Sequence, residues 1–172
     1  MLRPYFLILT FLFLAGCDNE ETFAPQYEVP VEASIHVSAF FKIASTKGLN
    51  LDTGNLIVRF EGELNSQDGS PICGNAAGSL TGDRQNVVTI DTECLAWRHS
   101  EISREILLFH ELGHVFLERA HFDELFSNDD YRSIMYGGNW NIFRFYTENP
   151  FKRDYYINEL FDPATPTPDW AK

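Results

Sequence analysis

His110-Glu111-Leu112-Gly113-His114 carries the clearest chemistry in this chain. On an α-helix, positions i and i+4 differ by about 40° around the axis and about 6 Å along it. Two imidazoles at that spacing leave one face and can share one metal ion. The glutamate between them can take the proton of a water that the metal activates. These three residues are the minimal equipment of a zinc hydrolase. A pattern of three fixed residues also arises by chance, and a histidine pair on an amphipathic helix can simply pack. Three features argue against chance. Ile106-Leu107-Leu108-Phe109 precede the motif, so the helix is expected to be buried and its polar residues need a reason to be there. A third histidine, His121, follows. Ser133-Ile134-Met135-Tyr136 comes after that.

His121 sets a geometric requirement. A continuous helix would carry it about 10.5 Å past His114, whereas zinc–nitrogen bonds are about 2.0–2.1 Å. The helix must end between Leu117 and Ala120 and the chain must turn back. Leu117-Glu118-Arg119-Ala120 offers no Gly or Pro to ease that turn.

In these residues the chain resembles the metzincin zinc peptidases, whose signature H-E-x-x-H-x-x-G-x-x-H is followed by a Met-turn. The specific likeness covers about positions 100–138. It implies His110, His114 and His121 as ligands of one catalytic Zn²⁺, Glu111 as the catalytic base, and Met135 as the methionine beneath the metal. Two departures stand out. Leu117 occupies the place of the turn glycine, and the third histidine comes one residue late. The second leaves Asp123 or Glu124 open as third ligand; His121 is favoured because imidazole is the common zinc ligand. In some metzincins a tyrosine two places after the Met reaches the metal. Tyr136 is one place after, so it is read as a packed aromatic.

The amino terminus speaks to location. Arg3 gives a positive start, and Tyr5–Leu14 is an apolar stretch too short to span a bilayer. Leu14-Ala15-Gly16-Cys17 resembles the bacterial lipoprotein lipobox, which implies cleavage before Cys17 and acylation of it. Residues 1–16 are therefore read as a lipoprotein signal peptide and 17–30 as a lipidated cysteine with an acidic tether, Asp18-Asn19-Glu20-Glu21. Residues 31–172 form the catalytic domain. The expected location is the bacterial cell envelope, with the membrane as a partner through Cys17. Cys73 and Cys94 remain as an even pair in an oxidising compartment, and a disulfide is expected. By the loop-entropy model it would stabilise the fold by about 3 kcal/mol. Pro71-Ile72-Cys73-Gly74 also faintly resembles the cysteine-switch stretch that caps zinc in some latent metzincins, though that switch lies in a prodomain.

The formal charge is −12, and removing residues 1–16 deletes one cation, Arg3, and no acid, giving −13. No basic stripe exists for phosphates, which argues against a nucleic-acid partner. About 140 residues beyond the tether suffice for one domain. Aromatics at 15% support a packed fold.

The elements that must position the motif follow from periodicity. Val31–Lys47 is helical in pattern and ends at Gly48. His36 on it is a surface or packing residue. Leu56–Phe60 and Val87–Ile90 read as strands, with Glu63–Asp83 a long loop that has room for one or two more. Ser100 suits an N-cap for a metal-binding helix over Glu101–Leu117, and His99 before it suits burial or capping. Asn149-Pro150 opens a last helix to about Phe161, followed by an irregular Pro-rich tail. The fold class is α+β: a small zincin-like domain with a short twisted sheet, an active-site helix, a Met-turn and a C-terminal helix.

The sequence thus implies a lipid-anchored zinc endopeptidase acting on a peptide or protein substrate. Tyr131, Tyr146 and backbone amides are all candidate oxyanion donors. Two rivals are a non-catalytic binding lipoprotein that kept the fold and a zinc amidase acting on cell-wall bonds. An intact Glu111 argues against the first, because metal binding alone does not need it. The anchor is testable directly. Labelled fatty acid is expected to enter the wild-type protein and not Cys17→Ser; equal labelling of both would rule out acylation at Cys17.

Overall fold

β-branched and aromatic residues dominate two runs of this chain, and both form strands. The computed structural model describes residues 23–138 and 140–172. Cys17 and the signal-peptide segment lie outside the described residues. Strands β2 (Leu56–Glu61) and β4 (Val87–Asp91) pair in parallel at the centre of the sheet, with Val58 beside Val88 and Phe60 beside Ile90. That register puts Leu56, Val58, Val88 and Ile90 together in the buried core. Strand β1 (Tyr27–Glu28) adds to the outer side of β2 in parallel, and β3 (Gly74–Ala77) adds to β4 antiparallel. The order is β1-β2-β4-β3. Strand β3 forms within the Gly-rich stretch where room for a strand was expected. Strand β1 uses residues assigned to the tether, so the sheet begins before Val31.

Four α-helices complete this α+β fold among the described residues: α1 (Val31–Thr46), α2 (Leu95–Arg98), α3 (Glu101–Leu117) and α4 (Arg153–Phe161). Helix α1 packs on α3 through aromatic contacts. The Phe40 ring lies 5.4 Å from Phe109 and 6.3 Å from Phe116. Eleven residues of α3 are buried, from Ser103 to Phe116, so this is the central helix of the core. None of the helices among the described residues is long and apolar enough to cross a membrane.

Local chemistry fixes where α3 begins. The Ser103 amide donates to Ser100 Oγ at 3.1 Å, and the Ser100 amide donates to Ser103 Oγ at 3.0 Å. Two otherwise unpaired amides are satisfied reciprocally. At the other end of the fold, Pro150–Lys152 forms a 3₁₀ turn and α4 starts at Arg153 rather than at the proline. The tail is irregular from Pro163 to Pro168, but Trp170 docks against Phe126 and Tyr155, with ring centroids 5.4 and 5.6 Å away.

His36 is buried in packing, with Nε2 at 3.1 Å from Glu101 Oε2. His99 is exposed rather than buried and caps the C-terminus of α2, its amide donating to the Leu95 carbonyl at 3.0 Å and its ring edge-on to Phe143 at 5.1 Å. Neither histidine lines the cleft described below. The cap is the testable element. Ser100→Ala should lower stability by about 1 kcal/mol, read as an earlier midpoint in denaturant unfolding; an unchanged midpoint would mean that the cap does not hold α3.

Candidate metal centre

Helix α3 carries His110 and His114 one turn apart, and both line a cleft of about 1060 Å³. Each ring is oriented from behind by a backbone carbonyl. His110 Nδ1 donates to the Ile134 carbonyl at 2.8 Å, and His114 Nδ1 donates to the Arg119 carbonyl at 2.6 Å. A carbonyl can only accept, so Nδ1 holds the proton in each ring and Nε2 is left with its lone pair. His114 Nε2 lies 3.1 Å from His110 Nε2 and 3.2 Å from His121 Nε2. The His110 and His114 lone pairs facing one another at 3.1 Å repel unless something electron-poor lies between them. Nitrogens on a tetrahedral zinc at about 2.0–2.1 Å stand roughly 3.3–3.4 Å apart. The three histidines form a donor set able to hold a metal ion, with all ligand atoms within 4.8 Å of one another.

His121 reaches that point through an unexpected residue. Glu118 adopts φ 50° and ψ 30°, the left-handed conformation that glycine enters most easily. For a residue with a Cβ it costs about 1–2 kcal/mol. The Glu118 amide and the Arg119 amide both donate to the Gly113 carbonyl, which closes the helix end and turns the chain back. The metzincin signature places its third histidine three residues after the turn glycine. Here His121 follows Glu118 by the same interval.

The returning segment is pinned to the segment around Met135. The Phe122 amide donates to the Met135 carbonyl at 2.8 Å, and the Gly137 amide donates to Asp123 Oδ1 at 2.6 Å. Glu124 is paired with Arg132. Asp123 and Glu124, the alternative third ligands, are thus occupied elsewhere, and His121 is the residue that joins the pair. Gly137 makes this possible by its size. A Cβ there would sit 2.3 Å from His121 Cγ and Nδ1. Met135 is fully buried and its Sδ lies against Gly113 of α3.

Glu111 is buried and faces the same cleft. Its carboxylate lies so close to β3 that a Cβ at Gly74 would be 2.4 Å from Oε1. Burial pushes its carboxyl up from 4.5 to about 8. Burial also holds His110 down, to about 3, assisted by the neighbouring rings of His114 and His121 and opposed by the Ile134 hydrogen bond. His114 is lowered as well, chiefly by burial. Two neutral imidazoles beside an uncharged acid leave the site electrically prepared for a cation, whose arrival would favour ionised Glu111.

Cys73 and Cys94 are joined in a disulfide with Cα atoms 5.4 Å apart. The bond ties the start of β3 to the residue preceding α2, and both cysteines line the cleft. Cys73 is thereby unavailable as a thiol cap on the metal. Neither candidate oxyanion donor, Tyr131 or Tyr146, is among the residues that line the cleft. Tyr146 is fully buried and donates to Glu105 at 2.9 Å, and the Tyr131 hydroxyl accepts the Asn141 amide at 3.0 Å. Tyr136 packs as expected, stacked on Tyr131 at 4.0 Å.

Sequence reasoning missed Trp140, Gly74, Gly137 and Arg119. The Trp140 ring stands 4.9 Å from His110, held by an indole N–H bond to the Tyr136 carbonyl at 2.6 Å. Only the unusual Gly-Gly and Trp cluster after Met135 hinted at it. Comparison with protein-family models, with curated proteins and with solved structures gave no match.

The raised carboxyl has a signed consequence. Between pH 4.5 and about 8, folded metal-free protein holds a proton at Glu111 that the unfolded chain releases. Its contribution is therefore lost as pH rises through that window. Metal-free Glu111→Gln should be more stable than metal-free wild type at about pH 9, with the difference closing towards pH 4.5. Denaturant unfolding in chelator at both pH values measures this, and a pH-independent difference would contradict it.

Proposed function

We propose that the chain is a zinc-dependent metallopeptidase, lipid-anchored in the cell envelope through Cys17. The carrying observation is the convergence of three Nε2 atoms beside a buried Glu111 side chain that lines the same cleft. His110, His114 and His121 would hold the metal. When bound, zinc supplies Lewis acidity, lowering the pKa of water towards 7 and polarising a carbonyl. The carbonyls of Ile134 and Arg119 keep the two helix imidazoles in the tautomer that ligation requires. Glu111 takes the proton of the attacking water on a carboxylate oxygen and passes it to the leaving amine.

The cleft favours an extended peptide. Strand β3 ends the sheet, and its residues Gly74, Asn75 and Ala76 line the cleft opposite the histidines. Such an edge takes up a peptide by adding it as a further strand, with backbone hydrogen bonds for affinity and pockets for alternate side chains. Leu95, Leu107, Trp140 and Ile142 supply an apolar wall. Among the described lining residues none is Lys or Arg, and Asp68 adds a carboxylate. That lining disfavours acidic peptides and suits neutral or basic ones with apolar side chains.

A peptide-library digest by the mature protein tests the reading. Cleavage should stop with chelator and return with zinc. His121→Ala should lose zinc. Glu111→Gln should keep zinc and fold yet lose at least about 10²-fold in rate, the lower end of what a positioned base contributes. Absence of cleavage by a zinc-loaded wild type would turn the reading to the amidase or binding alternatives. A fully active Glu111→Gln would remove Glu111 as the base.

A further inference from the structure

Arg119 and Glu159 form an ion pair at 2.6 Å, with side chains 12% and 5% exposed. Nothing in the proposed reaction uses either charge. The Arg119 Nη1 also donates to the carbonyls of Glu159 and Leu160, at 2.6 and 2.7 Å, across the C-terminal end of α4. The other Glu159 oxygen accepts from Ser133 Oγ at 2.5 Å, and Ser133 Oγ in turn accepts the Met135 amide at 3.0 Å. Ser133 is fully buried.

The two ends of this network coincide with the two carbonyls behind the metal site. Arg119 is the residue whose carbonyl receives His114 Nδ1. Ser133 immediately precedes Ile134, whose carbonyl receives His110 Nδ1. A single carboxylate on α4 therefore holds both backbone segments that orient the helix imidazoles. We infer that Glu159, acting through Arg119 and Ser133, is a positioning residue that sets the two ligand-orienting carbonyls and thereby tunes metal affinity. This rests on the metal reading above.

The energetics favour that role over a stabilising one. A buried ion pair gains little net stability over apolar residues of similar volume, although removing one partner alone is severely destabilising. Arginine is suited to the place because its planar fork meets a carboxylate and two carbonyls at once, which an ammonium does not do with fixed geometry. Loss of groups that orient metal ligands typically weakens metal binding by about 10–100-fold.

The experiment measures zinc affinity by chelator competition, and the visible spectrum of the cobalt form, on the full mature chain. The paired replacement Arg119→Met with Glu159→Leu removes both charges together and leaves Ser133 to hold the Met135 amide. It should fold, bind zinc about 10–100-fold more weakly and show altered cobalt bands. Ser133→Ala breaks only the arm to the Met-turn; it should weaken zinc binding in the same direction, and it decides the matter if the double variant does not fold. Wild-type zinc affinity and an unchanged cobalt spectrum in folded variants would overturn the positioning role while leaving the metal site intact. A wild type that binds no zinc would overturn the metal reading itself, and this inference with it.

Discussion

Three imidazole Nε2 atoms directed at one point, two of them held unprotonated from behind, form a donor set able to hold a metal ion, and the surrounding fold maintains them. The requirement falls on the far side of each ring. For Nε2 to face the cleft unprotonated, Nδ1 must give its proton to a fixed acceptor. The carbonyls of Ile134 and Arg119 are those acceptors for His110 and His114. Both belong to irregular segments that have no regular ladder to hold them. Their placement depends on the left-handed Glu118, on the turn around Ser133 and on the buried contacts that tie both segments to α4.

The same constraint explains the crowding around the site. His121 reaches the other two rings only because Gly137 leaves room for it, and Glu111 approaches β3 only because Gly74 has no side chain. Met135 closes the space behind α3. The disulfide between Cys73 and Cys94 anchors the β3 side of the cleft to the segment leading into α3. Each wall of the cleft is thus fixed by a different kind of interaction: helix packing, a tight turn, and a covalent cross-link.

Burial works with this geometry. Removing His110 and Glu111 from water disfavours the charged form of each, so the metal-free site holds neutral groups. A divalent ion would change that balance in one direction, keeping the imidazoles neutral and favouring the carboxylate. Its three-histidine donor set is able to hold a metal ion.

Much of this was legible in the chain. The apolar run before His110 located α3, Ser100 marked its start, and the distance argument required the helix to end between Leu117 and Ala120, where it does. Periodicity located α1, β2 and β4 to within a residue or so. Such features are local: helix and strand periods, caps and i,i+4 spacing are written in neighbouring residues. What could not be read depended on residues far apart in sequence. The edge strand β3 exists through pairing with β4, and β1 through pairing with β2, so short Gly- and Ala-containing or tether-like stretches gave no signal of their own. The choice of His121 over Asp123 and Glu124 was made by the contacts that occupy those carboxylates. Glycine at 137, the Ile134 carbonyl behind His110, and the Arg119–Glu159 pair become meaningful only when residues 16, 24 and 40 positions apart are brought together. The sequence by itself determined the ligand types, the helix that carries two of them and the need for a turn. Tertiary packing decided how the third ligand arrives and which protons the imidazoles keep, because both depend on partners that no local pattern specifies.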